Sequence, residues 1–174
     1  MTQLSRFRTI DPEQLTDNPF RLIDKEWMLI TAGTPEKFNM MTASWGGMGI
    51  LWGRPVDFCV VRPQRYTFPL IERSSVYSLT FFDAAHRDAL DFCGSHSGRD
   101  VDKVTATGLT PIVGDSGAVY FDEARLVIEC RKLYAQDLQE AGFVDPQIVD
   151  RNYPTRDFHR MYVGEVVRML VREV

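Results

Sequence analysis

The chain has 174 residues, of which 44% are hydrophobic and 25% are charged, and its formal net charge is -4. This length suffices for one domain with a sizeable core, so we predict a single domain over residues 1–174. An acidic chain of this kind lacks the large basic surface of a nucleic-acid binder or of a protein that binds anionic membranes. The first residues resemble no secretory signal and no apolar run reaches membrane-spanning length, so we expect a cytoplasmic protein.

Five segments rich in Val, Ile, Tyr, Phe and Thr predict β-strands, because Gly, Pro, Asp or Ser separates them. In chain order they are EWMLITAG (26–33), VDFCVVRP (56–63), VYSLTFF (76–82), AVYFDEARLVIECRKLYA (118–135) and MYVGEVVRMLV (161–171). In the fourth segment, apolar residues alternate with Glu129 and Arg131, which is the period of a strand with one buried face. An antiparallel sheet with a solvated face follows.

The predicted helices are few and short. With their capping residues they are 68–73 after Thr67, 84–93 after Asp83, 101–107 after Asp100 and 146–152 after Asp145. A doubly wound nucleotide fold would need a helix after nearly every strand. The pattern therefore predicts a mainly β protein, a closed or nearly closed β-barrel with peripheral helices.

The segment from Asn39 to Trp45 is the first candidate ligand-binding segment. It offers the hydroxyls of Thr42 and Ser44, and the glycines from Gly46 to Gly49 that follow it allow a ligand to approach the backbone closely. A nucleotide glycine loop would lead into a helix, but here a strand follows, which argues against a Rossmann unit. The alternative interpretation is that these glycines only permit tight turns.

The second candidate is VVRPQRYT, at the end of the second predicted strand. Pro63 disfavours helix at Arg62, so the chain turns before the helix predicted after Thr67. Arg65, Tyr66 and Thr67 then lie at a helix start, where free amides, a hydroxyl and guanidinium groups can donate hydrogen bonds to a phosphate dianion. The alternative is that both arginines are solvated surface charges.

A third polar loop, CGSHSGRD, contains Ser95, His96 and Ser97 between two predicted helices. Its composition suits either a phosphate-binding loop or an ordinary polar turn.

Catalytic side chains and metal ligands are not recognisable in the chain. The histidines lack metal-ligand spacing, no nucleophile elbow is visible, and His159 fits a structural role better than a ligand contact. Cys59, Cys93 and Cys130 are too widely spaced for a zinc site and are predicted to be buried free thiols. We therefore predict no metal site and no catalytic side chain, as expected where a cofactor carries the chemistry.

Six blocks in order carry a family resemblance across most of the chain. They are EWMLITAG (26–33), NMMTASWGGMGILWGRPV (39–56), VRPQRYT (61–67), CGSHSGRDVDK (93–103), GAVYFDEARLVIECRKLY (117–134) and HRMYVGE (159–165). In these blocks the chain resembles the flavin reductase-like proteins with an FMN-binding split β-barrel, particularly their flavoredoxin-like branch. Related sequences commonly have lysine at the position of His96, and a neutral imidazole provides only one donor there.

The resemblance implies a split barrel of antiparallel strands in a Greek-key-like order, and a homodimer with FMN near the subunit interface. One set of residues would face the isoalloxazine ring and ribityl chain: Asn39, Met41, Thr42, Ala43, Ser44 and Trp45. A second set would hold the phosphate, with the third loop nearby: Arg62, Arg65, Tyr66 and Thr67, then Ser95, His96 and Ser97.

The activity implied by the resemblance is that of an FMN-dependent oxidoreductase. The protein would act either as an NAD(P)H:flavin reductase, with NADH or NADPH as a transient donor, or as an electron carrier between small-molecule or protein partners. The alternative is a non-catalytic split-barrel binding module that holds another ligand such as haem.

Overall fold

The computed structural model describes residues 6–173. Eight strands form the main sheet: β1 (Phe7–Ile10), β2 (Met28–Thr34), β3 (Lys37–Ala43), β4 (Gly46–Leu51), β5 (Arg54–Val61), β6 (Val76–Phe81), β9 (Leu126–Asp137) and β10 (Arg160–Arg172). A separate two-stranded ribbon consists of β7 (Pro111–Val113) and β8 (Val119–Phe121). Cys59, Cys93 and Cys130 are buried free thiols, as predicted.

Short helices lie between the strands. They are α1 (Pro19–Arg21), which continues into a π-helical turn (Leu22–Glu26), α2 (Phe68–Arg73), α3 (Arg87–Ser95), α4 (Lys103–Thr107) and α5 (Pro146–Asn152), with 3-10 turns at Pro12–Gln14, Ala84–His86 and Glu140–Gly142. Within residues 6–173, no helix combines the length and apolarity needed to cross a bilayer.

The main sheet is antiparallel throughout and is open between its two edge strands. Its order is β3, β2, β6, β9, β10, β5, β4, with β1 also pairing with β10. The hairpin β2–β3 and the antiparallel pair β9–β10 are joined through β6, which gives the Greek-key-like order. The predicted class, a mainly β barrel with peripheral helices, is confirmed. The two edges, β3 and β4, are linked by Ser44 and Trp45 but do not pair, so the barrel is split rather than closed.

Strand β2 is buried on both faces and separates two apolar clusters. Ile30 points into the cluster enclosed by the barrel strands, whereas Leu29 packs into a second cluster with Leu90 of α3. Successive side chains of a strand point to opposite faces, so a strand in this position must be apolar at consecutive positions. Helix α3 is thereby fixed against β2 and β3, beside the open edge of the sheet.

The chain from Asn39 to Gly49 consists mostly of strand and is neither a ligand-binding loop nor the tight turns of the alternative interpretation. Residues up to Ala43 belong to β3, which pairs with β2 along its whole length. Gly46 lies in β4 with φ +149°, and a Cβ atom there would come within 2.5 Å of the Phe58 carbonyl oxygen. The tight turn lies instead at Trp52 and Gly53, whose φ values of 53° and 68° fit a two-residue hairpin turn.

Several predicted helix caps are wrong. Thr67 precedes α2 but makes no capping hydrogen bond with its side chain, and neither does Asp83 before its 3-10 turn. Asp102 rather than Asp100 caps α4, because its carboxylate accepts from the amides of Val104 and Thr105. The cap at Asp145 is confirmed.

Other boundaries also differ from those predicted. The fourth predicted strand is divided into β8 and β9 by a turn, which includes the hydrogen bond from the Ala124 amide to the Phe121 carbonyl. Helix α3 continues through Gly94, the predicted stop, to Ser95.

Candidate functional site

Two adjoining cavities lie beside the open edge of the sheet, and the predicted site residues line one or both of them. The larger cavity has a volume of about 520 Å³ and is lined by Asn39, Met41, Arg62, Gln64, Arg65, Tyr66, Thr67, Ser95, His96, Ser97, Gly98, Arg99 and Lys103. The smaller, of about 210 Å³, is lined by Met41, Thr42, Ala43, Ser44, Trp45, Val60, Arg62, Arg65 and His159. Cavities that hold small ligands commonly measure roughly 300 to 1,000 Å³. The structure therefore brings all three predicted segments together.

Asn39 ties β3 to the start of α2. Its buried side-chain amide donates to the Thr67 hydroxyl oxygen at 2.8 Å. Thr67 does not cap the helix because its backbone is already helical, with φ -68° and ψ -26°. Gly98 packs directly against this pair, since a Cβ atom there would lie 2.1 Å from Asn39 Oδ1 and 2.9 Å from Tyr66 Cδ1. The backbone of the third loop can reach this position only without a side chain.

The smaller cavity lies between the end of β3 and His159. The Thr42 hydroxyl donates to the Leu90 carbonyl of α3 at 2.5 Å, so its proton is used within the protein. The Trp45 ring is 46% exposed, and its centroid lies 5.2 Å from that of His159. Ser44 completes the lining beside them.

His159 is a neutral group in the wall of the smaller cavity. Burial lowers its pKa to about 4, and the positive charge of Arg62 acts in the same direction. Its Nδ1 atom lies 2.8 Å from the Tyr153 hydroxyl oxygen. Because Nδ1 is used by this contact, Nε2 is the ring nitrogen that remains for a ligand. The residue thus combines the predicted structural role with a place in the cavity wall.

The positive charge of Arg62 is balanced by a carboxylate of the protein. Its guanidinium donates to Asp157 at 2.5 Å and to the Asn152 carbonyl at 2.8 Å, and it lies over the Tyr153 ring. Hydrogen bonds from Gln64 and Arg62 hold the pKa of Asp157 well below its usual range. Arg62 therefore lines both cavities as one half of an ion pair, which weakens its predicted role as a phosphate-binding charge.

Arg65 carries a charge without a carboxylate partner among residues 6–173. Its guanidinium donates to the Gly94 carbonyl at the end of α3, at 3.1 Å. Several amides of this turn are used internally, because the Arg65 amide donates to the Arg62 carbonyl and the Phe68 amide to the Arg65 carbonyl. The Arg65 guanidinium is the charged donor that the turn offers an anion.

The loop after α3 closes the larger cavity on its outer side. The His96 ring stacks on Phe92 with centroids 4.0 Å apart and planes inclined by 13°. The Ser95 hydroxyl donates to the Asp91 carbonyl, and the Ser97 hydroxyl accepts from the Arg99 amide. The Arg99 guanidinium lies over the Tyr66 ring, 5.2 Å from its centroid. The loop presents a polar rim that is anchored on an aromatic pair.

Lys103 is the main residue that sequence reasoning missed. It is only 5% exposed, it lines the larger cavity, and its ammonium donates to the carbonyls of Met40 and Cys93. Burial lowers its pKa. A cation in the first turn of a helix opposes the helix dipole, so its position directly after Asp102 was a sign that it has another use. Sequence reasoning also missed Val60 and Gln64 as lining residues, whereas Gly98 and Arg99 belong to the third candidate loop.

Fold and cavity together define a split-barrel protein with a candidate ligand site at the open edge of the sheet. The chain belongs to the flavin reductase like domain family, which it matches over residues 20–174. Membership of this family supports a flavin-related oxidoreductase role. Among proteins with curated descriptions, none matches the chain significantly.

Solved structures with the same fold include several flavin proteins. An FMN-binding protein from Thermus thermophilus with bound 1-cyclohex-2-enone is 23% identical, with TM-score 0.64, over 93% of this chain and 76% of that one. Flavoredoxin from Methanosarcina acetivorans is 23% identical, with TM-score 0.66, over 85% and 69%. The NADH:FAD oxidoreductase SgcE6 of Streptomyces globisporus C-1027 is 17% identical, with TM-score 0.64, over 95% and 87%.

Across the part of the chain that the structure describes, no group of three or more His, Cys, Asp or Glu residues could hold a metal ion. Acid and base groups that line the cavities include Tyr66, His96 and Lys103 in the larger one and His159 in the smaller one. The cations of the larger cavity, Arg65 and Lys103 among them, equip it to bind a polar, anionic ligand.

Proposed function

We propose that this protein is an FMN-dependent oxidoreductase with its flavin in the two adjoining cavities. The observation that supports the proposal is the polarity of the site. Cations without carboxylate partners among residues 6–173, Arg65 and Lys103, line the larger cavity, Arg65 where it adjoins the smaller one, and a narrow cavity between β3 and His159 lies beyond. This polarity suits a ligand with a phosphate at one end and a flat ring at the other.

The residues present fit FMN. At the phosphate end, Arg65 offers a charged donor and Thr67 a hydroxyl whose oxygen already accepts from Asn39, so the Thr67 O–H group is itself free to donate. Gly98 lets the backbone of the third loop pack against Asn39 and Tyr66 beside this end, where a Cβ atom would not fit. At the ring end, Ser44, Trp45 and His159 form the wall.

FMN supplies the hydride and electron chemistry when it is bound. The protein's own part is to position the ring, and His159 Nε2 is placed in the wall to make a hydrogen bond to it or to a second substrate. The electron donor would be NADH or NADPH, or a protein partner as in an electron carrier. The similarity to a flavoredoxin and to an NADH:FAD oxidoreductase is compatible with both.

We also propose that the protein is a homodimer with its flavin sites near the interface. Apolar side chains at the β4–β5 hairpin support this, since Ile50 is 71% exposed and Trp52 is 59% exposed. Trp52 also contacts Tyr134 of β9, at a centroid distance of 6.4 Å, which extends the apolar surface onto the next strands. Sedimentation of the wild type and of Trp52→Glu tests this, with a dimer expected only for the wild type.

The test of FMN binding is titration of the protein with FMN, followed by flavin absorbance and fluorescence quenching. Arg65→Ala combined with Thr67→Val is expected to weaken binding by about 2 kcal/mol, because charge-assisted and neutral hydrogen bonds are lost. Arg73→Ala, at the exposed end of α2, is the matched control. Unchanged affinity in the double variant would remove these residues from the phosphate site, and wild-type protein that binds no FMN would refute the assignment.

Activity is tested separately from binding. Steady-state oxidation of NADH or NADPH with added flavin is expected if the protein is a reductase. Tight FMN binding without turnover would instead favour an electron carrier. A non-catalytic module that holds another ligand such as haem would show neither FMN binding nor turnover.

A further inference from the structure

Two cations converge on the last turn of α3. Lys103 Nζ donates to the Cys93 carbonyl at 2.7 Å, and Arg65 donates to the next carbonyl along the chain, that of Gly94, at 3.1 Å. Carbonyl groups at the end of a helix carry partial negative charge and favour cations. The helix end therefore fixes both groups in the lining of the larger cavity.

The charge of Lys103 is buried but not neutralised by the protein. Its ammonium has three donors, and the contacts within residues 6–173 account for two of them, the carbonyls of Met40 and Cys93. No aspartate or glutamate lines the larger cavity among the described residues, and Asp157 nearby is paired with Arg62. A buried charge without a counter-ion is unfavourable, so an anion from outside the chain would stabilise it.

The neighbouring groups strengthen this argument. Burial lowers the pKa of Lys103, and the positive charge of Arg65 adds to that lowering. An anion placed between these two cations would favour the charged form of Lys103 and would offset its repulsion with Arg65. Arg99 lines the same cavity and also has no carboxylate partner among residues 6–173, because its guanidinium contacts the Gln64 carbonyl and the Tyr66 ring. This excess of positive charge suits a phosphate monoester dianion.

We propose that Lys103 is a specificity-determining residue that makes the site select a phosphorylated flavin over the same flavin without phosphate. The proposal rests on the proposed function. Lys103 supplies a positive charge to the phosphate beside that of Arg65, and it ties Met40 of β3 to Cys93 of α3, which keeps the third loop packed against Asn39 at the cavity wall. The first of these roles depends on the ligand's charge, whereas the second does not.

The test measures dissociation constants for FMN and for riboflavin with the full chain. The quantity of interest is the ratio of the two constants, because a purely structural role of Lys103 would weaken both ligands equally. Lys103→Met is expected to lower the preference for FMN roughly tenfold, the scale of losing one charge partner from a partly desolvated site. Lys103→Gln, which retains an N–H donor for the carbonyls, provides the same comparison if Lys103→Met does not fold.

Lys132→Met is the matched control. Lys132 also donates to two backbone carbonyls, those of Ile71 and Glu72 at the end of α2, but it lines neither cavity. Its replacement is expected to leave the preference for FMN unchanged.

The outcomes separate the two levels of the proposal. A preference that falls in the Lys103 variants but not in the Lys132 variant supports the inference. An unchanged preference, or a wild type that binds both flavins equally well, overturns the inference and leaves flavin binding intact. A wild type that binds neither flavin overturns the proposed function, and the inference with it.

Discussion

Asp57 is a buried acid in the barrel interior, and its replacement by Asn makes a sharp prediction about stability. The carboxyl is fully buried on β5 and accepts from the Tyr77 hydroxyl at 2.7 Å, while its Oδ2 atom has no hydrogen-bond partner within residues 6–173. Burial raises the pKa of Asp57 to about 7, against the lowering effect of the Tyr77 hydrogen bond. The group is therefore protonated in the folded protein at pH values where it is ionised in the unfolded chain.

The sign of the pH dependence follows from this difference. An aspartate in an unfolded chain has a pKa of about 3.9. The folded state holds the proton more tightly, so the stability that the proton provides is fully present below pH 4 and is lost as the pH rises through 7. The difference of about three pKa units corresponds to about 4 kcal/mol in total, since one unit is worth roughly 1.4 kcal/mol.

The assay is urea unfolding of wild type and Asp57→Asn between pH 4.5 and 8.5. Asn does not titrate, so the difference in the free energy of unfolding between variant and wild type is expected to shift in favour of the variant by about 3 kcal/mol over this range. Asp150→Asn, at an exposed position of α5, is the control and should show no such trend. A difference that stays constant with pH would refute the reasoning, because Asp57 would then have the same protonation in both states.

Three further predictions concern the site and the packing around it. Gly98→Ala is expected to weaken FMN binding at least roughly tenfold in a fluorescence titration, because the new methyl group would displace Asn39 or Tyr66, whereas Gly142→Ala has open space and should have no effect. Gly164→Ala would place a Cβ atom 2.2 Å from the Tyr77 hydroxyl oxygen. Thermal unfolding should therefore show a loss of about 3 kcal/mol in the free energy of unfolding. No loss would mean that the buried Tyr77 and Asp57 pair moves freely. Asp157→Asn would free the charge of Arg62 and is expected to tighten FMN binding roughly threefold at low salt, an effect that high salt should abolish.

The sequence predicted strands in segments that are rich in β-branched and aromatic residues, because these residues pack well on the buried face of a pleated sheet. They did not predict β3, whose segment Asn39–Met41 contains neither kind of residue. That segment is a strand because it pairs with β2, for example Met41 with Ile30, and this pairing depends on tertiary context rather than on local propensity. The glycines of β4 were not predicted as strand residues for the same reason.

The candidate site could be predicted only in part. Arg65 and Thr67 lie close together in the chain, so their spacing indicated a shared role. The partner of Arg62 is Asp157, 95 residues away, and the carbonyl partner of Lys103 on β3 is 63 residues away. Local patterns carry no information about such contacts. The charge balance of the cavity, which decides what it can bind, therefore became visible only in the folded chain.

The missing pairing between β3 and β4 gives a bound ligand a mechanical role. The smaller cavity has the end of β3 on one side and Val60 of β5 on the other. A molecule bound there would bridge the two flanks of the gap where β3 and β4 do not pair. Free strand edges invite pairing with other chains. Loss of the ligand would thus remove this bridge between the two flanks as well as the cofactor. The unpaired strand edges would then be freer to pair with other chains, and the protein would be more prone to aggregate.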